Sequence, residues 1–208
     1  TDYALARYYD APGGDDAAVR LLSHVTERTA DLAASYMVAG FVHGVLNSDN
    51  INISGESFDY GPWRFAQVFD PGFTAAYFDE GGLYAFGRQA EAIHWDVVQL
   101  AIALSRIADQ EALVDALNRF ADLYREALVR RMLWRMRAQT EAARALIYYA
   151  SAQTDFGKLG DEAAALRAEV LIPLAKAHAT DIGCEVASLG VQVHGGMGFI
   201  EETGAAQH

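Results

Sequence analysis

Apolar positions recur at helical spacing along most of this chain and at strand spacing in one short stretch. Val19, Leu22, Val25, Leu32 and Tyr36 form an imperfect stripe that predicts a long helix from about 17 to 40. It follows the loop Pro12-Gly13-Gly14-Asp15-Asp16, where Asp15 or Asp16 is the expected cap. Ile93, Val97, Leu100, Leu104 and Ile107 step by four, three, four and three, and Leu113, Leu117, Phe120, Tyr124 and Leu128 nearly repeat that rhythm. Residues 137–154 and 162–190 predict two further helices, with Pro173 starting a new helix or kinking one. Residues 1–9 read as the end of a helix. The exception lies between: Ile51 and Ile53 alternate with Asn52 and Ser54, then Gly55-Glu56 turns the chain into Ser57-Phe58, which predicts a hairpin. Residues 60–90 set Gly61-Pro62, Pro71-Gly72, Gly81-Gly82 and Gly87 among aromatics and read as ordered loop. The fold class expected is mostly α with a small β-hairpin.

Composition narrows the partners. Of 208 residues, 52% are hydrophobic and 21% charged, enough to bury a core. The formal charge of −12 makes a general nucleic-acid binder a poor reading, because phosphate binding needs clustered Lys and Arg. No apolar run approaches the ~20 residues of a membrane span. Cys184 is the single cysteine, which excludes an internal disulfide and fits a reducing, cytoplasmic setting. Thr1-Asp2-Tyr3 has neither an initiator Met nor a signal-like run, so the chain is expected to begin inside a longer protein. The only lysines are Lys158 and Lys176.

Candidate chemistry centres on His43-Gly44-Val45-Leu46-Asn47-Ser48-Asp49-Asn50 and, across the hairpin, Asp59-Tyr60-Gly61. Protein kinases carry H-R-D-L-x-x-x-N and then D-F-G in this order. An Asn oxygen and an Asp carboxylate suit Mg²⁺, a hard cation that binds ATP phosphates. Val45 stands where a kinase has its catalytic Asp and cannot take a proton; Asp49 is the nearby carboxylate. For any one of these residues a plain turn role is the alternative.

The runs Phe41–Asn50, Ile53–Glu56 and Phe58–Pro62, with Asp70-Pro71-Gly72, Gly82–Phe86 and Gln89, resemble the selenoprotein O family over residues 3–133. The resemblance implies a partial kinase-like C-lobe and transfer of AMP from ATP to protein hydroxyls with Mg or Mn. It makes Asn50 and Asp59 metal ligands and Asp49 the base. The Gly-rich loop and strand Lys that grip the triphosphate are not here: Gly13-Gly14 is no such loop, and no Lys precedes 158.

A second pattern runs from Met136–Leu146 to Glu185–Glu202 and ends in Gln192-Val193-His194-Gly195-Gly196-Met197-Gly198-Phe199. It resembles the C-terminal helical domain of acyl-CoA dehydrogenases, particularly the branch acting on methylmercaptopropionyl-CoA-like thioesters, over residues 134–208. That implies a partial four-helix bundle, with Gln192, Gly195 and Gly196 contacting FAD. The matching catalytic Glu and the β-domain are absent, and a turn or helix cap is the plain reading of such glycines.

Two domains are therefore expected, 1–133 and 134–208. The leading function is a fragment of a protein adenylyltransferase, inactive alone, acting by family on ATP and protein hydroxyls. The alternatives are an FAD-dependent dehydrogenase fragment and a non-enzymatic helical fusion. The apolar faces of the C-terminal helices are expected to pack on the helices at 91–133 or to self-associate.

Overall fold

The computed structural model describes residues 1–200 and 204. Its helices are α1 (Asp2–Tyr9), α2 (Ala17–Ala39), α3 (Gln89–Leu104), α4 (Gln110–Asn118), α5 (Phe120–Lys158) and α6 (Glu162–Val193), with short 3-10 turns at Phe86–Arg88 and Gly195–Phe199. The strands are β1 (Phe41–Val42) and β2 (Arg64–Phe65), paired antiparallel with Phe41 opposite Phe65 and Val42 opposite Arg64. The chain divides into two compact units, Thr1–Arg131 and Met132–His208.

In the first unit α2 is the central element. It buries Leu21, Leu22, Val25, Ala30, Ala33 and Tyr36, and packs mainly on α3 through Ile93, Val97, Ala101 and Leu104. Small residues in the second half of α2 bring its neighbours close to its axis. Leu5 of α1 and Leu113 and Ala116 of α4 close the far end. Asp16 occupies the N-cap position of α2 but does not cap it; its carboxylate binds Arg20 instead, at 2.9 Å. Asp31 ties α2 to the start of α5. Burial raises its pKa, but hydrogen bonds and charge from Arg131 and Arg130 outweigh that and hold it below the usual value.

Two differences from the sequence pattern stand out. The hairpin at 51–58 forms, yet only one bridge, Ile51 to Ser57, is made. Its tip is closed by Asn52 N–H to Glu56 O at 2.7 Å and Gly55 N–H to Asn52 O at 2.9 Å, so the ladder has no room to extend. The true strands lie outside it. They are two residues long, too short to carry a period. The stripe through Ile107 also breaks: α3 ends at Leu104, and Ile107 lies exposed in the turn before Asp109, whose carboxylate caps α4 through Ala112 N–H.

The second unit is an antiparallel helical hairpin. Asp161 caps α6 by accepting from Ala164 N–H at 2.9 Å. Arg135 and Gln139 of α5 both bind Glu185, and Gln153 accepts from Arg167 at 2.7 Å. Pro173 neither starts nor ends a helix, since α6 runs through it. Among the described residues, the buried apolar side chains of this unit are all alanines: Ala143, Ala150, Ala164, Ala168 and Ala175. Larger side chains, among them Tyr148, Tyr149, Phe156, Leu166, Val170 and Leu174, are exposed.

One buried side chain holds β1 in place. The Gln89 carboxamide is 1% exposed; its Oε1 accepts from His43 N–H at 3.0 Å and its Nε2 donates to the Phe41 carbonyl at 2.8 Å. Gln89→Leu keeps the volume but strands both backbone groups. Since each buried unpaired group costs ~1–3 kcal/mol, the variant should lose on the order of 2–5 kcal/mol in urea unfolding. A loss below about 1 kcal/mol, the scale of an ordinary surface change, would show that water replaces the amide there.

Candidate functional site

The site is the loop from His43 to Asn50 and the segment that faces it, Phe58 to Gly61. His43 is fully buried and connects the two. Its Nδ1 accepts from Val45 N–H at 3.3 Å, so the proton must sit on Nε2, which then donates to the Phe58 carbonyl at 2.9 Å. Burial lowers the pKa of this imidazole, partly offset by the Phe58 carbonyl and the charge of Asp59. A neutral ring with one defined tautomer therefore fixes the loop to the segment beyond the hairpin. The backbone adds a second tie, Phe58 N–H to the Asn50 carbonyl at 3.1 Å.

Gly44 makes the bend after His43 with φ +88°. A Cβ there would meet Pro62 at 2.8 Å and Ala75 at 3.2 Å, so only glycine lets the loop lie against Asp59-Tyr60-Gly61-Pro62. Leu46 plugs the loop into the core beside Ile93 and Phe120. Tyr84 donates to Asn47, and Tyr36, Ser57 and Tyr60 form a hydroxyl cluster behind the hairpin. Burial pushes the Tyr36 phenol up to about 12, so it stays a neutral donor.

Within this frame the candidate ligands differ in exposure. Asn50 is 7% exposed, and its Nδ2 donates to the Val45 carbonyl at 3.1 Å, which turns Oδ1 away from that carbonyl. Asp59 is exposed and holds a left-handed φ of 56°, with its carbonyl accepting from Gly61 N–H at 2.9 Å. Asp49 is exposed beside Asn50. The donor set is all oxygen, which fits Mg²⁺ or Mn²⁺. Among the described residues no group of three or more His, Cys, Asp or Glu is arranged to hold a metal, so substrate or water oxygens would have to complete the shell.

Sequence reasoning passed over Asp96. It lies on the buried side of α3, 6% exposed, and neither carboxylate oxygen has a hydrogen-bond partner. Burial, and then the charge of Asp49, push its pKa up to about 7. The signal was available as a carboxylate inside the apolar repeat Ile93, Val97, Leu100.

The three positions proposed for FAD fall in the second unit. Gln192 is exposed near the end of α6, and Gly195 and Gly196 open the 3-10 turn. Local packing explains a neighbouring glycine: a Cβ on Gly198 would stand 2.2 Å from the Val191 carbonyl.

A raised carboxyl pKa means that the folded state favours the protonated form. Asp96 therefore costs nothing below its unfolded value near 4 and destabilises increasingly as pH rises to about 7. With EDTA present, Asp96→Asn should melt higher than the parent at pH 8 and at the same temperature near pH 4. Equal melting differences at both pH values would remove this assignment.

Comparison with known proteins finds relatives of this chain. The family model for the protein adenylyltransferase SelO matches residues 1–178. The protein nucleotidyltransferase YdiU of Synechococcus elongatus is 44% identical over 136 residues, covering 65% of this chain and 28% of the relative. Its namesake in Gloeobacter violaceus is 47% identical over 115 residues, covering 53% and 24%, and that of Azotobacter vinelandii 40% over 136 residues, covering 64% and 28%. The chain thus spans about a quarter of the length of the curated relatives it matches. The family match crosses the boundary drawn at 133, and the resemblance to acyl-CoA dehydrogenases finds no support in these comparisons. By the family model and by relatives of this identity, the chain belongs to the SelO family of protein adenylyltransferases.

Proposed function

We propose that residues 43–61 are the metal- and base-bearing part of a kinase-like C-lobe that transfers AMP from ATP to protein hydroxyls. The observation that carries this reading is the double tie, through the His43 ring and the Phe58–Asn50 backbone bond, that holds Asn50 against the segment leading into Asp59. Mg²⁺ or Mn²⁺ would neutralise phosphate charge there. Asn50 and Asp59 hold it with oxygen donors. Asp49 takes the proton of the acceptor hydroxyl as that oxygen bonds the α-phosphorus and the bond to pyrophosphate breaks.

This chain alone is proposed to be inactive. Residues 1–157 contain no lysine, so nothing in the first unit supplies the second clamp that an ATP triphosphate needs. Incubation with labelled ATP, Mn²⁺ and a generic protein acceptor should leave the acceptor unlabelled. Strong labelling that Asp59→Ala abolishes would refute inactivity while supporting the site.

For the second unit we propose self-association rather than flavin binding. Leu166, Val170 and Leu174 recur every four residues on α6, on the side away from the alanine seam, and Leu166 is 66% exposed. Tyr148, Tyr149 and Phe156 of α5 are exposed as well, and exposed apolar groups of this kind mark association. The purified protein should be colourless and sediment as a dimer or larger. Leu166→Glu with Val170→Glu should shift it to monomer, whereas a parent protein monomeric at every concentration would mean that the chain covers these faces itself.

A further inference from the structure

A cavity of about 210 Å³ lies directly behind the candidate catalytic loop, between α2, the 51–58 hairpin and α3. Half of its lining is apolar, with Val25, Ile51 and Val97 among it; the polar half is Thr29 from α2, Ser48 and Asn52 from the loop and hairpin, and Asp96 and Gln99 from α3. Asn50 and Asp59 do not line it. Every one of these polar side chains offers an oxygen. Thr29 Oγ1 already donates to the Val25 carbonyl at 2.7 Å, and Asn52 Oδ1 accepts from Ser54 N–H at 3.3 Å. Asp96 stands out: a carboxyl 94% withdrawn from solvent with both oxygens unpartnered. Among the described residues, the charge that acts on it is the like charge of Asp49, and no Lys or Arg compensates it.

A buried carboxylate without a partner costs several kcal/mol and is retained only where something neutralises it. Side-chain packing does not, since the cavity is open space. Its volume is several times the ~30 Å³ of one water, so it has room for an ion and residual waters.

We propose that this cavity is a second cation site, in which Asp96, with oxygens of Ser48, Thr29, Asn52 and Gln99, holds a hard divalent cation behind the catalytic loop. Oxygen-only donors with a single carboxylate suit a cation of the Mg²⁺, Mn²⁺ or Ca²⁺ class that keeps part of its water shell. The ion offsets the repulsion between Asp96 and Asp49 and fixes Ser48 from behind, which positions Asp49 and Asn50 without touching substrate. The site stands apart from the Asn50–Asp59 pair, so each can fail without the other.

Mn²⁺ binding to the full chain, followed by the electron paramagnetic resonance signal of free Mn²⁺, tests this without any activity. The parent should bind two ions, Asp59→Ala one, Asp96→Asn one, and the double variant none. Thr29→Val, which leaves the carboxylate intact, should weaken the ion kept by Asp59→Ala. One ion in the parent that survives Asp59→Ala and disappears in Asp96→Asn would keep this inference and remove the metal site of the proposed reaction. No ion in a folded Asp59→Ala protein, or an ion that survives the double change, would overturn the inference. The first of these would mean that a proton alone neutralises Asp96.

Discussion

The carboxamide of Gln89 fixes the segment on which the site is built. It lies on the first turn of α3, yet it satisfies the backbone of Phe41 and His43, more than forty residues earlier. A carboxamide is suited to this because it offers one donor and one acceptor side by side, matching a C=O and an N–H on the same strand. The site depends on that bond in sequence. Gln89 sets the backbone of His43, the His43 ring sets Val45 and Phe58, and Phe58 sets Asn50. Each link is buried or partly buried, where a lost partner is not replaced by water at no cost.

Electrostatics then sorts the carboxylates. Asp49 and Asp59 face solvent. Asp96 faces inward, behind the same loop, where burial and the charge of Asp49 disfavour its ionised form. The neutral His43 ring and the raised phenol of Tyr36 stand beside the loop and its hairpin as donors that hold their protons across physiological pH. The first unit therefore combines a fixed backbone, an oxygen-rich mouth and one uncompensated carboxyl behind it.

The second unit follows a different principle. Its two long helices meet through alanines, which allow close approach but contribute little apolar burial. Ion pairs and amide bonds, such as Arg135 and Gln139 to Glu185, fix the register of the hairpin. Larger apolar side chains that ordinarily stabilise a helical domain, such as Phe156, Leu166 and Leu174, are exposed.

Much of this was legible in the residues. The long apolar stripes located α2 and α3, because a 3.6-residue period over many turns survives individual exceptions. The order His43, Asn50, Asp59 marked the candidate site, because its chemistry requires oxygen donors at a short separation. The sequence did not show the two-residue strands, which are too short for any period and exist because β1 and β2 are brought together by the loop between them. It did not show that Gln89 and Asp96, about two turns apart on α3, play opposite parts, one satisfied on both sides and one on neither. That difference lies in what stands opposite each side chain after folding: for Gln89 the backbone groups of Phe41 and His43, for Asp96 a cavity and a like charge. Local pattern determined which elements form, and only tertiary contact decided which polar groups inside them have partners.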